Sequence, residues 1–369
     1  MGRGNLLTFV NIVPHNYPLL YSMKYLKKLN KHIIISAIAL FPVFASAQNK
    51  VNIGETTLHF NDTTRKRPLV TEVWYPTTDT AKPGKGFAPF VRLETAKDGE
   101  LAHKKYPLIL ISHGTGGGRL TLEWLADALV QKGFMVAAVD HWGNTYENKI
   151  AINFVTPWER PQDISFVLTG LLKDPKFGPA IDQNRIGAAG FSIGGYTVIA
   201  LAGGRLDYDA LKTYSYTPGG KQEMTLPEFP GLEEILKTGE VDESFKKSPK
   251  MLKDKRIKAF FAISPAVGQG FVKQSQFKEL DRPLYLVEVE SDHITPYKTN
   301  AEHYHQLIPA SQYLLIKGKA DHYVFLGEAA EPVKKQSPIY FTDDPSVDRH
   351  AIHEQVGELA AKFFEEKLK

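Results

Sequence analysis

Residues 185–204, Arg185 to Gly204, read "RIGAAGFSIGGYTVIALAGG". A short apolar rise runs into a serine fenced by glycines, and small and apolar residues at helical spacing follow. Glycines at a strand end let a following helix approach closely, and a serine there could simply cap that helix. The alternative rests on Gly190-Phe191-Ser192-Ile193-Gly194, which matches GxSxG. In that turn the small flanking residues permit a strained strand-to-helix elbow that projects the serine hydroxyl above a sheet as a nucleophile. GxSxG also recurs by chance, so the rest of the chain decides between cap and nucleophile.

Working outward, the elbow sits in an alternation of buried strands and helices. Upstream, "YPLILISHG" (106–114) is a continuous apolar run ending in glycine, "LTLEWLADALVQKG" (120–133) is helical with a glycine stop, and "FMVAAVDH" (134–141) is a second buried strand. "RPQDISFVLTGLLKD" (160–174) continues as helix. Downstream come strands in "IKAFFAISP", "PLYLVEVES" and "SQYLLIKG", a helix in "NAEHYHQLI" and a long C-terminal helix from Ala351. Strand, helix, strand at this spacing predicts an α/β fold with a mostly parallel sheet covered by helices on both faces. Near the start, "VNIGETTLHFND" and "PLVTEVWYPTT" alternate apolar and polar residues, as an antiparallel pair does. Two segments break the rhythm, at about 206–255 and 326–347, and read as long loops inserted at the rim, the first lid-like.

A serine hydroxyl is a poor nucleophile until a base takes its proton, so a working elbow demands a histidine and a group that orients it. Asp292 follows "LYLVEVES" and His322 follows "SQYLLIKG", both at predicted strand ends and in the order serine, acid, histidine. Glu290 and Asp321 compete with Asp292 for the orienting role. Asp321 is next to the histidine in sequence, where a side chain usually points away from its neighbour. The alternation of "LVEVE" puts Glu290 on the face of Glu288, less free to reach across. Asp292 lies in the turn "SDHITP" and suits the role best. The charge that develops on a carbonyl oxygen needs donors too, and "SHGTGGG" (112–118), after an earlier strand, supplies a loop whose N–H groups can turn inward. The expected donors are the N–H groups of Ile193 and Thr115. A phosphate-binding P-loop is the rival reading, but the lysine followed by Ser or Thr is missing.

From about Val51 to Phe364 the chain resembles the α/β hydrolase superfamily, and more narrowly the dienelactone hydrolase-like and platelet-activating-factor acetylhydrolase-like bacterial proteins. The stretches that carry this are "TEVWYPT", "LISHGTGGG", "AAVDHWGNT", "RPQDISFVL", "GFSIGGYT" and "ESDHITPYKTNAEHY". The resemblance implies an α/β-hydrolase fold and a serine hydrolase. Dienelactone hydrolases proper use a cysteine nucleophile, whereas Ser192 stands at the elbow here. In the acetylhydrolases the acid follows the strand next after the elbow, but "FFAISPAVG" offers no carboxylate, so the acid must come from one strand later.

Other residues invite labels. Asp140 and His141 read as strand-end partners of the neighbouring loop rather than metal ligands. His303 and His305, two apart, cannot share a helix face and so make a poor metal pair. His113 reads as a prop for the donor loop. Tyr208, Tyr214 and Tyr216 are lid residues facing an apolar group or ordinary loop packing.

Lys24, Lys27, Lys28 and Lys31 precede "IIISAIALFPVF" and "ASAQ", the pattern of a secretory signal over 23–47 with a cut before Gln48. The apolar run is well short of the roughly 20 residues that span a bilayer. Residues 1–22 read as an upstream extension and 48–369 as one hydrolase domain. Loss of 1–47 takes five positive charges and changes the formal net charge from +4 to about −1. With no cationic stripe left, nucleic acid is not an expected partner. The 369 residues include no cysteine, which excludes disulfides and thiolate chemistry. The expectation is an exported serine esterase acting on a small-molecule ester, with no metal or organic cofactor and no anchor in the mature form. An amidase or peptidase with the same residues, or a silent binding protein on this fold, stays open.

Overall fold

The computed structural model describes residues 50–83 and 89–369, so the expected signal and upstream extension lie outside the described residues. Strands β1 (Asn52–Asp62) and β2 (Arg67–Thr77) pair antiparallel along their whole length. Two short strands, β3 (Lys82–Pro83) and β4 (Glu94–Lys97), extend that edge. Six strands follow: β5 (Tyr106–Ser112), β6 (Met135–Val139), β7 (Ile181–Phe191), β8 (Ala259–Ile263), β9 (Leu284–Val289) and β10 (Gln312–Ile316). These six pair parallel throughout, and the sheet runs β10-β9-β8-β7-β5-β6-β2-β1-β4-β3.

The continuous apolar runs are explained by burial on two faces. Leu108 and Leu110 point to a core shared with Ile164, Val167 and Leu171 of the helix Glu159–Lys173. Ile109 and Ile111 point the other way, to Leu125 and Leu129 of the helix Glu123–Gln131 and Val356 and Ala360 of the helix Arg349–Lys367. A strand covered on both sides has no polar face to show. Each large aliphatic side chain so enclosed contributes about 1.5–3 kcal/mol. The helix Ile193–Ala202 is buried at every position, which is why its sequence lacks a polar stripe.

The strand order also sets where a site can form. The chain steps from β5 to β6, then crosses back to lay β7 on the other side of β5. The loops after β5 and β7 therefore diverge, opening a crevice at the carboxyl ends of the strands, where ligands of open α/β sheets bind. The elbow and the "SHGTGGG" loop flank that crevice.

The two insertions are helical, not the loops expected from their prolines. Residues 206–255 form four short helices, Tyr208–Ser215, Pro218–Glu223, Leu232–Leu236 and Gly239–Lys247. The Asp207 and Thr217 side chains cap the first two by accepting from the N–H groups of Ala210 and Gly220. Their apolar faces close on a small core of their own around Trp158, Tyr208, Leu232 and Val241. The segment 326–347 holds the helices Glu331–Gln336 and Pro338–Phe341. Of its residues only Leu326 borders the central cavity.

Candidate active site

Ser192 sits between β7 and the helix Ile193–Ala202 at φ 57° and ψ −121°, in the left-handed region that a side chain rarely adopts. The flanking glycines are steric necessities. A Cβ on Gly190 would run into the Gly194 carbonyl, and one on Gly194 into the Ser112 carbonyl of β5. The strained turn is pinned by the Ser192 N–H donating to the Ile263 carbonyl at 2.9 Å and by the Ala266 N–H donating to the Ser192 carbonyl at 3.1 Å. The Ser192 side chain makes no capping hydrogen bond to the helix, so the cap reading fails.

His322 opens a turn of 3-10 helix after β10, and its ring packs against Phe191 of the elbow at 4.7 Å between centroids. Its Nδ1 lies 2.6 Å from Asp292 Oδ2. Nδ1–H therefore donates to the carboxylate, so in the neutral ring Nε2 is the nitrogen that carries the lone pair. Asp292 is itself held by the N–H groups of Ile294 (2.9 Å) and Thr295 (2.6 Å), while Thr295 Oγ1 donates to Oδ2 at 2.9 Å. Burial pushes the Asp292 carboxyl up, but the His322 contact and these donors outweigh it and hold the group below its ordinary value.

Ser192, Ile193, Thr115 and His322 border one cavity. Its walls are mainly apolar, with Phe154, Val267 and Ile294 from the body and Leu226 and Leu232 from the 206–255 insertion. Among the described residues no hydrogen bond links Ser192 Oγ to His322, a bond that in unliganded enzymes is often long and tightens around substrate. Nor do the N–H groups of Ile193 and Thr115 have an acceptor among the described residues, although their loop neighbours do. Gly116 N–H donates to Asn144 Oδ1 at 2.8 Å and Gly117 N–H to the Gly114 carbonyl at 3.2 Å.

The rival acids point elsewhere. β9 ends at Val289, so Glu290 does not share the buried face of Glu288 as the alternation predicted, and instead meets Lys317 at 2.9 Å. Asp321 pairs with His293 at 2.5 Å and accepts from the His322 N–H. His303 meets the Phe271 carbonyl and His305 the Ser311 hydroxyl, on separate partners. Tyr208 and Tyr214 border the cavity with their hydroxyls tied to Asp242 and Glu223, while Tyr216 is exposed.

Asp140 does bond the neighbouring loop, through the Arg119 N–H and guanidinium. His141 is buried deeper than expected. Its Nε2 meets Ser112 Oγ at 2.9 Å and its Nδ1 meets Asp163 Oδ2 at 2.9 Å, a second serine, histidine and aspartate in line. Arg67 grips Asp163 with two bonds of 2.7 Å. Arg160 donates to the His113 carbonyl at 2.5 Å and the Gly114 carbonyl at 3.2 Å, bracing the donor loop from behind. His113 Nδ1 bonds the Gly114 carbonyl at 2.6 Å, and burial followed by the Arg160 charge keeps its ring far below its ordinary pKa.

Sequence reasoning missed Asp163, Glu288, Thr295 and Glu228. Glu228 comes from the insertion, packs its stem against Gly116 of the donor loop and accepts from the Tyr323 hydroxyl at 2.8 Å. The only signal for Asp163 was its position on the apolar stripe of its helix, beside Arg160, Ile164 and Val167.

Residues 90–153 match the family model of platelet-activating factor acetylhydrolase, isoform II. That span holds the donor loop but none of Ser192, Asp292 and His322. No curated protein matches the chain. Among solved structures, a ferulic acid esterase from Streptomyces cinnamoneus superposes with a TM-score of 0.57 at 18% identity, covering 88% of this chain and 92% of that one. The sheet order, the strained elbow and the structural match give the chain an α/β-hydrolase fold, and its residues 90–153 are similar to platelet-activating factor acetylhydrolase, isoform II.

Proposed function

We propose that the protein is a serine hydrolase of carboxylic esters. One observation carries the reading: a strained serine, a histidine–aspartate pair and two N–H groups without acceptors among the described residues converge on a single apolar cavity. Ser192 Oγ attacks the acyl carbonyl while His322 Nε2 takes its proton. Asp292 keeps the ring in the tautomer that can accept, and it stabilises the imidazolium. The N–H groups of Ile193 and Thr115 receive the oxyanion. His322 then returns the proton to the leaving alcohol, and a water activated by the same ring releases the acyl group from Ser192.

The esterase and acetylhydrolase matches support an ester over an amide, and the apolar walls support an uncharged acyl group. The 206–255 insertion, which supplies Leu226 and Leu232, selects acyl length in this account. A panel of nitrophenyl esters of increasing acyl length tests it. The wild type should turn over at least one ester with an acyl-enzyme burst, and Ser192→Ala should lose about 10⁶ in turnover. Shortening the insertion should shift the preferred length. No turnover by the wild type, or a Ser192→Ala variant as active as the parent, would reject the proposal. Export is inferred from the basic and apolar pattern of residues 23–47. Mass spectrometry of the exported chain should find it beginning near Gln48, and a cytoplasmic protein retaining Met1 or Met23 would contradict this.

A further inference from the structure

Behind Asp292, away from the cavity, lies a second buried carboxyl group. Glu288, on β9, is wholly shielded from solvent. Its Oε1 accepts from the Ser264 hydroxyl and from the Val289 N–H at 2.9 Å, and its Oε2 has no protein donor. The Glu288 and Asp292 carboxyl groups are in hydrogen-bond contact. Two carboxylates in contact in a dry interior cannot both be ionised, so one holds a proton. Four donors surround Asp292: the N–H groups of Ile294 and Thr295, the Thr295 hydroxyl and His322 Nδ1. Only two surround Glu288. The charge belongs where the donors are, and the proton on Glu288.

We propose that Glu288 is a positioning residue whose Oε2–H donates to the Asp292 carboxylate and holds it in line with His322. The otherwise partnerless Oε2 becomes a donor, and the buried pair is satisfied with one negative charge between them. Burial, then the neighbouring Asp292 charge, push the Glu288 carboxyl well above its ordinary pKa, in keeping with this. The titratable groups facing it are Asp292 from the loop after β9 and Tyr313 from β10, with His322 beyond Asp292. β8 presents the neutral Ser264. The consequence for catalysis rests on the triad reading above, whereas the carboxyl pair has a signature of its own.

The test compares Glu288→Gln and Glu288→Leu with the wild type. The amide can still accept from Ser264 and donate to Asp292, so Glu288→Gln should keep kcat/KM for a nitrophenyl ester within about threefold. Glu288→Leu removes a donor to a charged group and should lose about 10- to 100-fold. The second readout is melting temperature against pH, without substrate. Below about pH 4 both folded and unfolded wild type hold the Glu288 proton. Above it the unfolded chain releases the proton and the folded chain does not, so the wild type loses stability that the amide keeps. The melting temperature of Glu288→Gln relative to the wild type should therefore rise from pH 4 to pH 7. A difference that is flat across pH, or equal activity losses in the two variants, overturns the proposal. If no ester is turned over by the wild type, the hydrolase reading fails while the melting series still decides the carboxyl pair.

Discussion

Two sets of serine, histidine and aspartate lie within this fold, and in each the histidine Nδ1 meets an aspartate Oδ2. In Ser112–His141–Asp163 the bonds are 2.9 and 2.9 Å, and in the pair His322–Asp292 beside Ser192 the bond is 2.6 Å. Fractional exposure barely separates them, at 0% for all three residues of the first and 2–5% for the second. What separates them is open space and backbone. Ser192 and His322 border the cavity and none of the first set does. Ser112 ends a regular strand, whereas Ser192 is forced into the left-handed region by its elbow.

Their electrostatics differ as well. Burial first, then the Arg160 charge, hold His141 at about 3, so it stays neutral. Burial raises Asp163, but the His141 bond and the Arg67 charge outweigh it and hold the carboxylate at about 2. Asp163 answers two arginines as well as one imidazole. Arg160, lowered by burial to about 9, spends its donors on the carbonyls behind the Thr115 loop. The core set is a brace for the donor loop. A constellation of three residue types is therefore not by itself a catalytic site; the proposed triad differs from the buried set in its access to the cavity.

The comparison can be broken first by exchanging acids. Asp292→Asn should cut kcat by about 10⁴ by favouring the wrong imidazole tautomer, with little change in melting temperature. Glu290→Gln and Asp321→Asn, whose carboxylates face Lys317 and His293, should stay within about tenfold. Near-normal kinetics in a folded Asp292→Asn variant would overturn its role. Asp163→Ala should instead act on stability, costing about 3–5 kcal/mol in urea unfolding because Arg67 and His141 lose their buried partner. A loss under 1 kcal/mol would show that the brace is dispensable.

The smallest expected effect is a pH slope. Below about pH 6.5 the unfolded chain takes up a proton that His141 refuses, so this residue's share of stability falls as pH drops toward 3. The slope is at most about 1.4 kcal/mol per pH unit. Denaturant midpoints of the wild type should decline more steeply over pH 6.5 to 4 than those of His141→Gln. Parallel curves would mean that His141 is charged in the folded protein.

Much of the proposed triad was legible because its signals are local. GxSxG marks a turn that only small neighbours permit, and Asp292 and His322 each follow a recognisable strand. The brace was not legible because its members are far apart: Arg67 and Asp163 are 96 residues distant, and a carboxylate in an amphipathic helix reads as a solvent-facing charge. Glu290 was misplaced for a related reason. Alternation tied it to the face of Glu288, but β9 ends between them. The insertion helices escaped notice because runs of five to nine residues, started by single caps such as Asp207, carry too few turns to show a period.

The most direct test of the central claim is to label the folded protein with a fluorophosphonate and map the modified residue by peptide mass spectrometry. The account predicts one phosphonate per chain, on the peptide containing Ser192, persisting in Ser112→Ala and absent from Ser192→Ala. A label on Ser112, or undiminished labelling of Ser192→Ala, would contradict it.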